Sequence, residues 1–199
     1  MFNKNNYLEC AELLSFMFDY KMEITDKFHS NVPSYGEYTM SKRPFHPIEN
    51  EIRINPCVIN SYEEFIATYF HELGHLLDYN LHGVPDGDDC AESELVASYV
   101  SMFLTSYFYG NVSLHILRQI VTTTSVYGYN RELEDDVKHR ALDCISYFAQ
   151  RIMPDCQMTV EFFIDLVTLH KGILREAYKT KYLNGGNFDE SIRRVVKSL

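Results

Sequence analysis

His71, Glu72 and His75 are residues whose types and spacing could do chemistry together. Four residues are about 400° of α-helix, so two histidines four apart lie on one face, roughly a turn apart. That spacing lets both imidazoles reach a single metal ion at about 2.0–2.1 Å. Glu72 is rotated by about 100° from His71. It stands beside the position such an ion leaves open, where a carboxylate can take a proton from water. The chemistry implied is hydrolysis at a zinc centre, with His71 and His75 as ligands and Glu72 as general base. The plainer alternative is a buried helix whose histidines only hydrogen-bond, and it gives the acidic residue beside them no reason to be there.

A helix must carry this motif, and the flanking residues supply one. Ser61 followed by Glu64 reads as a capping box, and Tyr62, Phe65, Ile66, Tyr69, Phe70, Leu73, Leu76 and Leu77 recur at helical spacing. We expect a helix over about 61–80, its apolar stripe in the core and the motif on a flank facing a cleft, with Gly74 removing bulk beside the metal.

A hydrolytic zinc site needs a third protein ligand and keeps the fourth position for water. Glycine and histidine three and six residues beyond the second histidine would give the metzincin pattern, but Asp78 and Leu81 stand there, and His82 comes one place late. Asp86, in Gly83-Val84-Pro85-Asp86, is one candidate. The segment from Asp89 to Tyr99 reads as a second helix with two others. Asp89 and Glu92 look like an N-cap and its partner, which gives Glu92 a structural task. Glu94 shares its face with Ala91, Ala97, Ser98 and Ser101, small residues that allow a close helix approach.

The HExxH helix followed by a glutamate on the next helix resembles the gluzincin metallopeptidases. Within them, the run from Tyr62 to His75 and the run Glu94-Leu95-Val96-Ala97 are similar to the metallopeptidase domain of ArdC-type antirestriction proteins and phage polyvalent proteins, over roughly residues 50 to 150. ImmA/IrrE-type peptidases share the first motif. The resemblance implies a zincin-like fold, Zn2+ held by His71, His75 and Glu94, Glu72 as the catalytic glutamate, and a protein or peptide substrate held as an added strand on an edge strand ahead of the metal helix. The chain departs from the ArdC pattern in lacking a tryptophan after the second histidine and in having no room for the separate N-terminal DNA-binding domain.

Composition sets the frame. The chain has 199 residues, 46% of them hydrophobic, and shows no repeat or linker, so one domain spanning 1–199 is expected. The polar start Met1-Phe2-Asn3-Lys4 and the absence of a long apolar run point to a cytoplasmic protein with no membrane partner. Five cysteines (Cys10, Cys57, Cys90, Cys144, Cys156), with no CxxC pair, read as reduced thiols. A net charge of −10 argues against nucleic-acid binding. It also leaves room for a non-enzymatic reading, an acidic inhibitor that mimics DNA. A third reading is a zincin fold that keeps zinc without turnover.

Around the motif the chain reads as α+β and predominantly helical, with a small sheet ahead of the HExxH helix. Leu8, Ala11, Leu14, Phe18 and Met22 suggest an opening helix ending near Thr25. Strands are expected at 35–40 and 51–55, the second closed by Pro56 as an edge strand would be. Helices are expected over 113–121, 130–153 and 159–182, with a break at Asn184-Gly185-Gly186-Asn187. The basic residues Arg193, Arg194 and Lys197 read as a solvated helix face. Asp78 is a candidate partner for a ligand imidazole. His82, Tyr99, His115, Tyr127 and His139 are candidate donors to an oxyanion.

Overall fold

The computed structural model describes residues 5–28, 34–41, 49–83, 91–109 and 131–152. In chain order these form α1 (Asn5–Phe18), β1 (Tyr20–Ile24), β2 (Gly36–Ser41), β3 (Glu49–Ile54), α2 (Tyr62–His82), α3 (Ala91–Tyr109) and α4 (Arg131–Ile152). The architecture is α+β and mostly helical, with one small sheet ahead of α2. The expected helices over 113–121 and 159–182, the break at 184–187, and Asp86, Asp89, His115 and Tyr127 lie outside the described residues.

α1 is shorter than its apolar spacing suggests. Ala11, Leu14 and Phe18 are buried along one stripe. Asp19 then takes a positive φ of 52°, and Met22, in phase with that stripe, belongs to β1 instead. The left-handed residue breaks the helix, and the alternation of Lys21, Met22, Glu23 and Ile24 suits a strand.

β3 is the central strand of the order β1-β3-β2, not an edge. β1 runs parallel to it, Tyr20 facing Asn50 and Ile24 facing Ile54. β2 runs antiparallel, Gly36 facing Ile54 and Ser41 facing Glu49. Pro56 follows the ladder, so its missing N–H costs no strand pairing. Ile52 and Ile54 are fully buried on the helix side. Arg53 points the other way, to Glu51 at 2.9 Å and Glu23 at 3.6 Å.

α2 begins at a genuine cap: the Ser61 hydroxyl accepts from the Glu64 N–H at 3.1 Å. The Glu64 carboxylate reaches back to the N–H of Asn60 at 2.7 Å, one residue before the cap. The helix ends where Gly83 takes φ 84° and its N–H bonds Tyr79 C=O, a backbone conformation that favours glycine. Every residue from Ile66 to Asp78 is buried. α2 is therefore buried through its middle. The Tyr20 and Tyr69 hydroxyls, hydrogen-bonded to each other, tie β1 to α2. One hydrophobic cluster joins Leu14 of α1, Tyr20 of β1, Ile52 of β3, Leu73 of α2, Val100 of α3 and Phe148 of α4.

α3 lies unusually close to α2, and small residues explain how. A Cβ at Gly74 would stand 2.7 Å from Ala97 Cα and 2.9 Å from Ala97 O. Gly74 is thus the point of helix approach; it makes room for α3, not for a metal. Ser101 strengthens the contact by donating to Ala67 C=O at 2.7 Å. Among the described residues, no helix is long and apolar enough to cross a membrane.

Candidate metal centre

The close approach of α3 carries Glu94 to the two histidines of α2. His71 Nε2 and His75 Nε2 are 3.1 Å apart. Glu94 Oε2 lies 3.1 Å from His71 Nε2, and Glu94 Oε1 lies 3.3 Å from His75 Nε2. Ligands at about 2.0–2.1 Å from a tetrahedral ion are separated by roughly 3.3 Å. The three groups therefore approximate one face of such a tetrahedron. As hydrogen bonds alone they fit poorly, because one N–H on His71 Nε2 cannot serve both His75 and Glu94.

α3 also supplies what orients the rings. Ser93 Oγ lies 3.1 Å from His75 Nδ1, and Ser98 Oγ lies 3.4 Å from His71 Nδ1. With their Nδ1–H groups donating to these hydroxyls, both imidazoles turn Nε2 toward the shared point. Ser93 and Ser98 precede and follow Glu94 by one and four residues, and that placement around a candidate ligand is the signal that sequence reasoning passed over.

Glu72 lies beside this triangle without joining it. Its other neighbour is β2, over which a Cβ at Gly36 would come within 2.7 Å of Glu72 Oε1. Tyr35 C=O accepts from the Asn55 N–H at 2.9 Å. By alternation, the backbone groups of Gly36, Tyr38 and Met40 therefore point away from β3. The Tyr38 N–H donates to the Glu72 carboxylate. Among the described strands, the outer edge next to Glu72 is therefore that of β2.

Among the described residues, the site is short of positive charge. Burial raises the Glu72 carboxyl to about 7, with the nearby Glu94 charge adding to the effect and His75 and the Tyr38 N–H opposing it. Burial pushes the Glu94 carboxyl up, but hydrogen bonds to His71 and His75 outweigh it and hold Glu94 well below the usual carboxylate range. Burial disfavours the His75 imidazolium, yet Glu94, Glu72 and Asp78 together raise its affinity for a proton. Three carboxylates pulling a buried imidazole toward its cationic form mark a place that suits a cation.

Other expected residues fall elsewhere. Asp78 does not partner a ligand imidazole: its oxygens take Arg140 Nε at 3.0 Å and Arg140 Nη2 at 2.6 Å. Glu92 turns to Arg140 Nη1 at 3.2 Å, away from the triangle. His82 lies between Asp78 at 3.0 Å and Asp143 at 3.3 Å. Tyr99 is in the hydrophobic core, and His139 is exposed on α4. Tyr79 was not anticipated, although it stands four residues past His75 and so on its face. Its ring is 5.9 Å from the His75 ring and 5.4 Å from that of Tyr38.

No protein-family model, curated protein or solved structure matches the chain.

Proposed function

We propose that this protein is a zinc metallopeptidase of the gluzincin type, zincin-like in fold and cytoplasmic. The observation that carries the reading is the convergence of His71, His75 and Glu94, the two Nε2 atoms 3.1 Å apart and the two Glu94 oxygens 3.1 Å from His71 and 3.3 Å from His75, with a buried carboxylate beside them that takes no part in it. Two imidazoles and a carboxylate are the donor set of hydrolytic zinc, and the excess of negative charge there suits a dication. Zinc, when bound, supplies the Lewis acid that makes water nucleophilic near neutral pH and polarises the scissile carbonyl.

The chain's own residues do the rest. Glu72, raised to about 7 by its burial, accepts the proton of the attacking water and returns it to the departing amine. The Tyr38 N–H steers its carboxylate. Tyr79 brings a phenol to the His75 side of the site, where a donor to the developing oxyanion is needed. Along the outer edge of β2, the Tyr38 C=O and the main-chain groups of Met40 offer partners to an extended peptide, a mode of binding that tolerates varied side chains.

Glu72→Gln tests the proposal. The amide keeps the shape of the side chain but cannot accept the proton, so zinc content should stay at wild type. Cleavage of a proteome-derived peptide library should fall by on the order of 10²-fold or more, with chelator-treated wild type as control. Wild type that cuts nothing while zinc-replete and reduced would sink the peptidase reading. If wild type and Glu72→Gln then block a restriction enzyme equally, the acidic-inhibitor reading takes its place. A zinc-bound wild type that does neither would be a zincin fold without turnover.

A further inference from the structure

We propose that Arg140, on a helix that contributes no ligand, sets the metal affinity of the site by clamping the first turn of α3 to α2. The proposal rests on His71, His75 and Glu94 holding a metal. Glu94 is the fourth residue of α3. The first turn of a helix has N–H groups without intrahelical partners and is where helices fray. A ligand placed there needs its turn held from outside. Ser93 holds one side through His75. Arg140 holds another: Nη1 binds Glu92 at 3.2 Å, two residues before Glu94, while Nε and Nη2 grip both oxygens of Asp78 at 3.0 and 2.6 Å.

Asp78 is the fixed end of the clamp. It is fully buried, one turn past His75 on the helix that carries both histidines. The planar guanidinium spans the two carboxylates with three nitrogens, a geometry a single ammonium cannot reproduce. α4 thus links the turn bearing the third ligand to the helix bearing the first two.

Charge and position make opposite predictions, which is what makes the clamp testable. Removing Arg140 leaves Asp78 with only its His82 contact, takes the guanidinium from Glu92 and makes the surroundings more negative, so by charge alone a cation would bind more tightly. Loss of position would make it bind more weakly. The experiment measures zinc affinity by competition with a chromophoric chelator, alongside thermal unfolding of the metal-free proteins. Arg140→Met is expected to weaken zinc binding by roughly 10- to 100-fold, the scale on which groups supporting ligands act. Arg140→Lys should recover part of the loss. Glu92→Gln removes only the arm to α3 and should weaken zinc binding several-fold with little change in metal-free stability.

Zinc affinity of Arg140→Met equal to or tighter than wild type would overturn the clamp. Should Arg140→Met fail to fold, Arg140→Lys decides, because it keeps the charge and alters only the fork: weaker zinc binding with an unchanged metal-free melting temperature supports the clamp, and wild-type zinc binding overturns it. Wild-type binding no tighter than that of His71→Ala would overturn the metal reading itself, and the clamp with it.

Discussion

His71, His75 and Glu94 form one cluster against α2; Asp78, His82 and Cys144 form another about a turn further along, and in both the potential ligand atoms lie within 4.8 Å of one another. By residue type either could hold a metal. The difference lies in what already supplies positive charge. In the second cluster Arg140 occupies both oxygens of Asp78, and each ring nitrogen of His82 faces a carboxylate. Burial and the charge of Asp78 push the Cys144 thiol up, so it remains a neutral thiol. In the first cluster no lysine or arginine among the described residues approaches the triangle in an ion pair, and the nearest groups pull His75 toward its charged form. Proximity of ligand types is therefore a weak criterion; convergence of donors with no internal cation is the stronger one.

Metal counting is the most direct way to break this comparison. Elemental analysis should find about one zinc per chain, lost in His71→Ala and His75→Ala and strongly reduced in Glu94→Ala. His82→Ala and Cys144→Ala should keep it. A wild type with two zinc ions, one of them lost in Cys144→Ala, would show that the guanidinium does not close the second cluster to metal.

The same contrast has a signature in metal-free protein. The Glu72 carboxyl is raised from 4.5 to about 7 when folded. A raised value means that the folded state binds the proton more tightly, so this contribution to stability is present below about 4.5 and lost as pH rises through about 7. The difference corresponds to roughly 3 kcal/mol. Glu94 acts in the opposite sense: held below its ordinary value, it stabilises above 4.5 and loses that contribution as pH falls. Comparing Glu72→Gln with wild type isolates the first effect. In chelator, urea unfolding should show the variant gaining on wild type by about 3 kcal/mol between pH 4.5 and pH 8. Added zinc should shrink the gap, because a dication offsets the buried negative charge. Parallel pH profiles in chelator would mean that burial of Glu72 costs nothing, and the argument for a missing cation would lose its main support.

The parts of this site legible in the sequence are those set by local spacing. Ser61 and Glu64 mark the start of α2, the histidine spacing puts Nε2 beside Nε2, and the small-residue face around Glu94 anticipates the approach of α3. What escaped depends on distant partners. β1 was hidden because Met22 continues the stripe of α1, and only pairing with β3 makes it a strand; without β1, β3 reads as an edge. Asp78 has the right spacing to support an imidazole, but Arg140, 62 residues away, takes it instead. Gly74 reads from the sequence as room for a metal, but its neighbour is Ala97, a contact that no periodicity reveals.

The finest test concerns the two serines, which differ in distance and so should differ in effect. With Nε2 turned to the metal, each ring must carry its proton on Nδ1 and donate it to a hydroxyl. Ser93 accepts from His75 at 3.1 Å, an ordinary hydrogen-bond length, while Ser98 stands 3.4 Å from His71 Nδ1, near the limit of useful interaction. Ser93→Ala leaves a buried N–H without that partner, a loss of about 1–3 kcal/mol, which as ring disorder should weaken zinc binding by roughly 10-fold. Ser98→Ala should cost about two- to three-fold, on the scale of a long and weak bond. Alanine fits the small-residue face of α3 at both positions, so neither change should disturb the packing against α2. Chelator competition on the two variants reads the difference. A larger loss in Ser98→Ala than in Ser93→Ala would show that hydrogen-bond length does not govern how these hydroxyls support the histidines, and that the His71 side of the site is the more tightly constrained.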